Sequence, residues 1–218
     1  MPTSSNPPRT ARGRATRERI VQAAAELVAE RGVAGTSLDD VRERAHASKS
    51  QLYLYFADRE ELLRGVATAT SDSVIESQAQ ALAEFDSLAG IERYLEGIVA
   101  MQVERHASGG CPIGSLAGQL AEQDEGARAI LADGLARWET GLADGLEAMA
   151  SRGELRPSAD PALLATQTLA LLQGGLLLTQ VRRDAGQMRI VADTILTLVR
   201  AALTAPSPPP APTPPGMP

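Results

Sequence analysis

Six apolar residues between positions 131 and 149 recur at steps of three and four, a spacing that fits one face of an amphipathic α-helix. They are Leu131, Leu135, Trp138, Leu142, Leu146 and Met149. The chain is 44% hydrophobic but only 3% aromatic, so its core must be built mainly from Ala, Leu, Val and Ile. Such a core favours helices over sheets. We therefore predict an all-α fold.

The same spacing recurs along most of the chain and predicts three helices near the N-terminus, about six more helices and no strand. Helix boundaries are expected from about Thr16 to Arg31, from Arg59 to about Ala83, after Asp86, at Pro112, at Gly153, at Asp160-Pro161 and after the RRDAG turn at 182–186. Pro suits the first turn of a helix, and Gly suits the residue after its end.

The segment from Ser37 to Phe56, SLDDVRERAHASKSQLYLYF, has the pattern of two short helices joined by a tight turn. Ser37 and Ser48 stand where a hydroxyl can cap the free N–H groups of a helix start. In the second helix, Leu52 and Phe56 can face inward, which leaves a polar and aromatic surface with one cation. A helix this short cannot hold together alone. The pattern is typical of a helix-turn-helix recognition helix, which presents hydrogen-bonding groups to base edges in a major groove.

Residues 16–65 resemble the DNA-binding domain of the TetR family of transcriptional regulators. The matching segments are TRERIVQAAAELVAERGVAGTSLDDV, ASKSQLYLYF and ADREELL. They correspond to the family's first helix, a glycine turn at Gly32 and Gly35, the two helices just described and the start of a fourth. The family usually has glycine in the turn where this chain has His46, and histidine tolerates a left-handed backbone better than most residues.

The resemblance implies a homodimer that represses by default, binds a double-stranded DNA operator and holds a small-molecule effector in its second domain. GCPIGSLA at 110–117 and QGGLLLTQVRRD at 173–184 resemble one TetR subgroup. We expect a disordered basic arm over residues 1–12 and a helix-turn-helix domain over 13–64. An effector-binding and dimerisation domain is expected over 65–203, before a disordered tail over 204–218 that contains eight prolines.

The charge distribution places DNA binding at the N-terminal end. Residues 1–65 carry eleven Lys+Arg against nine Asp+Glu (net +2), and residues 66–218 carry ten against eighteen (net −8). A basic end on an acidic protein suits phosphate binding. We predict that the chain's single lysine, Lys49, approaches bases with Ser50, Gln51 and Tyr53, beside Ser48 at the helix start. The residues expected to hold phosphates are Arg14, Arg17, Thr36, Ser37, Tyr55 and Arg59.

The helix from Leu163 to Val181 is apolar on nearly all sides, so one face can meet its own subunit and another the partner. Gly174 and Gly175 permit close helix approach there, or alternatively leave room for a ligand. An effector pocket needs apolar walls with a few polar groups. Its candidate residues are Phe85, Met101, Trp138, Met149, Leu172, Gln173 and Leu176. Because no cluster of inward cations is evident, we expect an effector with few charges.

The sequence contains few residues or motifs that would indicate catalysis or metal binding. The two histidines, His46 and His106, are too few for a catalytic site, and no H-E-x-x-H, G-x-S-x-G or phosphate-binding glycine loop occurs. We expect no enzyme activity, metal, cofactor or membrane segment, and a cytoplasmic protein. Cys111 suits either a thiol sensor or a small buried residue at a helix entry. The alternative to a repressor is a helical adaptor that binds other proteins and not DNA.

Overall fold

A computed structural model describes residues 10–204 of the 218-residue chain. Of the arm predicted over residues 1–12, residues 1–9 lie outside the described residues, as do residues 205–218 of the tail predicted over 204–218. Within this range the chain forms nine helices. They are α1 (Ala11–Arg31), α2 (Leu38–Arg44), α3 (Lys49–Tyr55), α4 (Arg59–Ala83), α5 (Leu88–Glu104), α6 (Pro112–Leu120), α7 (Glu125–Ser151), α8 (Pro161–Arg182) and α9 (Gly186–Ala202). The predicted all-α fold is confirmed.

The predicted boundaries agree with these helices except at the first one. Helix α1 begins at Ala11 rather than at about Thr16, because Thr10 acts as its N-cap and accepts a hydrogen bond from the Gly13 N–H at 3.1 Å. Arg12 and Arg14 are consequently helical. The sequence pattern did not reveal this early start because the stripe of buried apolar residues begins only at Ile20.

Helices α1, α2 and α3 form an N-terminal unit, here called the head (residues 10–58). Ser37 is the N-cap of α2 and Ser48 is the N-cap of α3, and each forms a reciprocal capping box with the residue three positions later. The turn between the two helices contains His46 in a left-handed conformation, with φ of 47°. The two short helices thus derive their ends from local side chains, while burial of residues such as Phe56 holds them on α1.

Helices α4 to α9 form the rest of the fold, here called the body. Helix α4 runs from the head along α7, α7 packs on α8, and α8 packs on α9, which also contacts α5. The predicted stripe of α7 faces this core, with Leu135 its one partly exposed member. Helix α8 is long and apolar enough to cross a membrane by length and composition, and it packs on α7 and α9 with one face while 39% of its most apolar window is buried.

Polar contacts tie the head and the adjoining first turns of α4 to α6 and α7. The Val33 N–H, in the turn between α1 and α2, donates to the Gln119 side chain near the end of α6 at 2.8 Å. The Arg64 guanidinium on α4 donates to the Asp124 carboxylate at 2.9 Å, and Asp124 also caps α7. These contacts place α6 and the start of α7 against the DNA-binding end of the chain.

Candidate nucleic-acid interface and effector cavity

The recognition helix α3 turns a polar face to solvent. Lys49, Ser50, Gln51 and Tyr53 are exposed, whereas Leu52 is buried against the head. The capping box engages part of this face, since the Ser48 N–H donates to Gln51 Oε1 at 2.9 Å and the two serine hydroxyls lie 2.9 Å apart. The structure therefore brings the four residues expected to approach bases onto one short, pre-formed surface.

The residues expected to hold phosphates lie in three different settings. Arg14 is exposed on α1, and Arg17 lies over the Phe56 ring with 5.2 Å between the guanidinium carbon and the ring centroid. Tyr55 is half-buried at the end of α3. Arg17 thus lies against the packed side of the head, whereas Arg14 is exposed on α1.

Three other predicted residues hold the turn between α1 and α2. The buried Thr36 hydroxyl donates to the Gly32 carbonyl at 2.9 Å. Arg59 donates to the carbonyls of Val33 and Thr36, at 2.5 Å and 3.3 Å from Nη2. Ser37 donates through its hydroxyl and N–H to Asp40, and these bonds hold the pKa of that carboxyl below its usual range. The turn is held by these groups, so a phosphate would meet a fixed backbone there.

Several cations of α1 and α3 form no ion pair with the described residues. No ion pair between described residues involves Arg12, Arg14, Arg17 or Lys49. Two acidic residues of α2 are paired within the head instead, Asp39 with Arg42 at 3.3 Å and Asp40 with Arg31 at 3.7 Å. Uncompensated positive charge beside an exposed polar helix attracts a polyanion.

A cavity of about 620 Å³ opens in the body between α4, α5, α7 and α8, beside the segment that leads into α6. Its apolar wall includes Ile98, Met101, Trp138 and Leu176. Helix α4 supplies a polar wall of serine, glutamine and glutamate side chains, and Arg93 and Arg105 also line the space. This volume and mixed lining suit a small organic ligand.

A hydrogen-bond chain crosses one wall of the cavity. The indole N–H of Trp138 donates to the Tyr94 hydroxyl at 2.8 Å, and that hydroxyl donates to Gln78 Oε1 at 2.6 Å. Burial raises the pKa of Tyr94 well above its usual range, against the opposing effect of the Trp138 hydrogen bond. Tyr94 is therefore a neutral phenol that orients Gln78 toward the cavity.

Three of the seven residues predicted to bind an effector, Met101, Trp138 and Leu176, line the cavity. The other four do not: Phe85, Met149 and Leu172 are fully buried in the core, and Gln173 is half-buried behind the wall near Gly114. Helical spacing identifies side chains that face inward but not the places where the interior is empty. Sequence reasoning therefore missed Tyr94, Gln78 and the two cavity arginines.

Cys111 also lies on the cavity wall, as the N-cap of α6. It is buried, and its Sγ accepts a hydrogen bond from the Gly114 N–H at 3.4 Å. This position fits the small buried residue at a helix entry, and the alternative of a thiol sensor stays a prediction.

Helix α8 and the start of α9 present an apolar surface, here called the α8 face. Its exposed large apolar residues are Leu163, Leu177, Leu178, Val181 and Ile190. Gly174 lies on this open side, whereas a Cβ at Gly175 would stand 2.7 Å from Val191 Cγ2 on α9. Neither glycine lines the cavity. Gly175 thus serves close helix approach, and the alternative of space for a ligand in the cavity is not supported.

Comparisons with known proteins match both parts of the chain. Residues 20–66 match the family described as "Bacterial regulatory proteins, tetR family", and residues 87–195 match "Tetracyclin repressor-like, C-terminal domain". An uncharacterized HTH-type transcriptional regulator of Lactococcus lactis is 27% identical over 190 residues, which cover 84% of this chain and 93% of that protein. One of Bacillus subtilis is 26% identical over 187 residues, covering 85% and 95%.

Solved structures share the fold. A TetR transcriptional regulator from Chloroflexus aurantiacus superposes with a TM-score of 0.75 at 24% identity, over 89% of this chain and 98% of that one. A TetR-family regulator from Cytophaga hutchinsonii gives a TM-score of 0.77 at 18% identity, over 91% and 100%. At these identities the likeness concerns the fold alone.

Proposed function

The chain belongs to the TetR family of bacterial regulatory proteins, and we propose that it is a ligand-responsive repressor released from a palindromic operator by a small effector. As a member of this family it is a DNA-binding transcriptional regulator and not an enzyme. The observation that carries the proposal is an exposed polar recognition helix with uncompensated cations, on the same chain as a ligand-sized cavity. The segments at 110–117 and 173–184 support placement in one TetR subgroup.

The proposed DNA contacts begin at α3. Lys49, Ser50, Gln51 and Tyr53 approach base edges, and Ser48 fixes the helix start. The phosphate contacts come from Arg14, Arg17, Thr36, Ser37, Tyr55 and Arg59. Because the side chains of Thr36 and Arg59 already bind the turn between α1 and α2, their proposed role is to hold that turn's backbone against a phosphate. Residues 13–64 act as the DNA-binding domain, and residues 65–203 bind the effector and dimerise.

A homodimer is proposed because one recognition helix reads only a few base pairs. Two heads spaced by about one turn of duplex DNA read a palindrome. The α8 face is the proposed interface, since large exposed apolar side chains concentrated on α8 and the start of α9 mark a surface that another chain covers. Gly174, where a Cβ would meet nothing within 4 Å of the same chain, allows the two α8 helices to approach closely.

The proposed effector is largely apolar and occupies the cavity beside Trp138. Arg93 and Arg105 both line the cavity, so the effector must also accommodate positive charge, which the sequence did not suggest. Glu84 pairs with Arg93 at 3.2 Å, which leaves Arg105 to meet any polar or acidic group of the ligand.

A cytoplasmic location follows for a protein that acts on an operator.

Release of DNA is proposed to pass through α6. Its N-terminal end carries Cys111 and Pro112 on the cavity wall, and near its other end Gln119 holds the Val33 N–H of the head. An effector that fits the cavity better when α6 has shifted would favour a different separation of the two heads. It can do so only to the extent that it binds that arrangement more tightly.

The proposal is tested by selecting duplexes from a random pool with the full chain and measuring affinity as salt rises. A repressor shows a steep loss of affinity, whereas an adaptor enriches no duplex. Replacing both Lys49 and Tyr53 with Ala should abolish operator binding without unfolding the protein. Retention of full operator affinity would refute the assigned contacts.

A matched control is Arg156→Ala, which removes one exposed positive charge after the far end of α7. Helix α7 starts beside Asp124, which binds Arg64 near the head end of α4, and spans about 40 Å, so Arg156 lies far from the proposed interface. The Arg156 variant should keep wild-type affinity and salt dependence. A loss equal to that of the Lys49 and Tyr53 variant would show that net charge, not α3, governs binding.

A further inference from the structure

Leu54 is an aliphatic residue on the surface of the recognition helix. Its side chain is 66% exposed, more than that of any other large apolar residue in the described part of the head. Tyr53, at 50%, is its neighbour, and the remaining exposed large apolar side chains belong to the body. An isolated surface leucine is ordinary, so the meaning of this one depends on where it points.

Helical geometry puts Leu54 at the centre of the outward face. Leu52 faces the core, and a residue two positions along lies about 160° around the helix axis from it. Ser50 and Gln51, four and three positions before Leu54, share its side of the helix. The group farthest from the core in α3 is thus a butyl side chain flanked by hydrogen-bonding residues.

This leucine contributes little to the fold, because a side chain two-thirds exposed removes little apolar surface from water. Beside it, Gln51 Oε1 accepts from the Ser48 N–H, and the hydroxyls of Ser48 and Ser50 bond to each other. Leu54 is therefore the residue on this face whose side chain gains most from apolar contact.

Resting on the proposed function, we propose that Leu54 determines operator specificity by packing against the 5-methyl group of a thymine in the major groove. Among the four bases, thymine alone carries a methyl group on its major-groove edge, and small apolar contacts read it. Cytosine offers an amino group at the neighbouring position instead, which Leu54 would desolvate without a partner. The operator therefore contains a thymine opposite Leu54 in each half-site.

The contact predicts a defined effect when the methyl group is removed. Uracil pairs as thymine does and keeps O4, so a thymine-to-uracil change deletes one methyl group and nothing else. Loss of one buried methyl group corresponds to about a fourfold fall in affinity. A change in both half-sites of a palindrome should lower dimer affinity about fifteenfold, as the product of the two.

The test uses the full chain and a duplex that it selects from a random pool. Thymines within the half-sites are replaced by deoxyuridine one position at a time, and Kd is measured at fixed salt. Wild type should lose affinity at the thymine that Leu54 contacts. Leu54→Ala should bind the thymine and uracil duplexes equally at that position, and Leu54→Met should retain discrimination.

Val103→Ala is the matched control, because it truncates a half-exposed apolar residue on α5 and should leave the uracil effect unchanged. Thermal unfolding checks that Leu54→Ala is folded. The proposal is overturned if no thymine in the selected half-sites is sensitive to uracil, or if Leu54→Ala keeps the same sensitivity. Those results would leave DNA binding intact, whereas failure to enrich any duplex would overturn the repressor function as well.

Discussion

Removal of the Tyr94 hydroxyl should destabilise the protein although it deletes a single atom. Tyr94→Phe leaves the indole N–H of Trp138 without its acceptor, and Trp138 is only 3% exposed. A buried donor without a partner costs about 1–3 kcal/mol. The Gln78 oxygen also loses a donor, but it lies on the cavity wall where water can replace the phenol. We expect a loss of about 1–2 kcal/mol in the free energy of unfolding.

The assay is urea unfolding followed by far-UV circular dichroism at one protein concentration. Tyr53→Phe is the matched control, since its side chain is half-exposed and makes no hydrogen bond to the described residues. That control should unfold like wild type within about 0.5 kcal/mol. Both variants keep Trp138, so its fluorescence also reports ligands that enter the cavity.

A double-mutant cycle identifies the cause of the loss. In a Trp138→Phe background no indole N–H remains, so Tyr94→Phe should cost about 1 kcal/mol less than it does in wild type. Equal costs in the two backgrounds would refute the role of the indole hydrogen bond. A cost below about 0.5 kcal/mol in wild type would refute the whole assignment.

Two further substitutions test packing and charge. Gly175→Ala should lower the free energy of unfolding by about 1–2 kcal/mol, because its Cβ would stand 2.7 Å from Val191 Cγ2. Gly118→Ala, whose Cβ would meet nothing within 4 Å, should raise it by about 0.5 kcal/mol. Chemical unfolding compares the two variants, and equal effects would contradict the packing of α8 on α9. Burial raises the pKa of Asp124, but hydrogen bonds from Arg64 and the Ala127 N–H outweigh it and leave the pKa lowered. Asp124 therefore stabilises the fold above its unfolded pKa of about 3.9 and loses this contribution as pH falls through the lower folded value. Unfolding measured from neutral to acidic pH should show a smaller decline for Asp124→Asn than for wild type, and identical declines would contradict it.

Local chemistry in the sequence determined the helices and their ends. Ser37 caps α2 and Ser48 caps α3 because each hydroxyl stands directly before a short apolar pattern. The left-handed turn at His46 lies in the short segment that separates these two patterns. The buried face of α7 could be predicted because each turn of a helix places one apolar side chain against the core. The early start of α1 was missed because Thr10 precedes Ile20, the first buried apolar residue of α1, by nearly three turns.

Only the tertiary structure determined where the cavity lies and which residues line it. Trp138 and Met149 follow one helical pattern, yet Trp138 lines the cavity while Met149 is enclosed by the core. The difference arises because a cavity depends on which helices diverge, and that depends on the packing of residues far apart in the chain. The hydrogen bond from Trp138 to Tyr94, across 44 positions, has the same origin. Sequence periodicity determines which side of a helix faces inward, and three-dimensional packing determines whether that side meets another residue or an empty space.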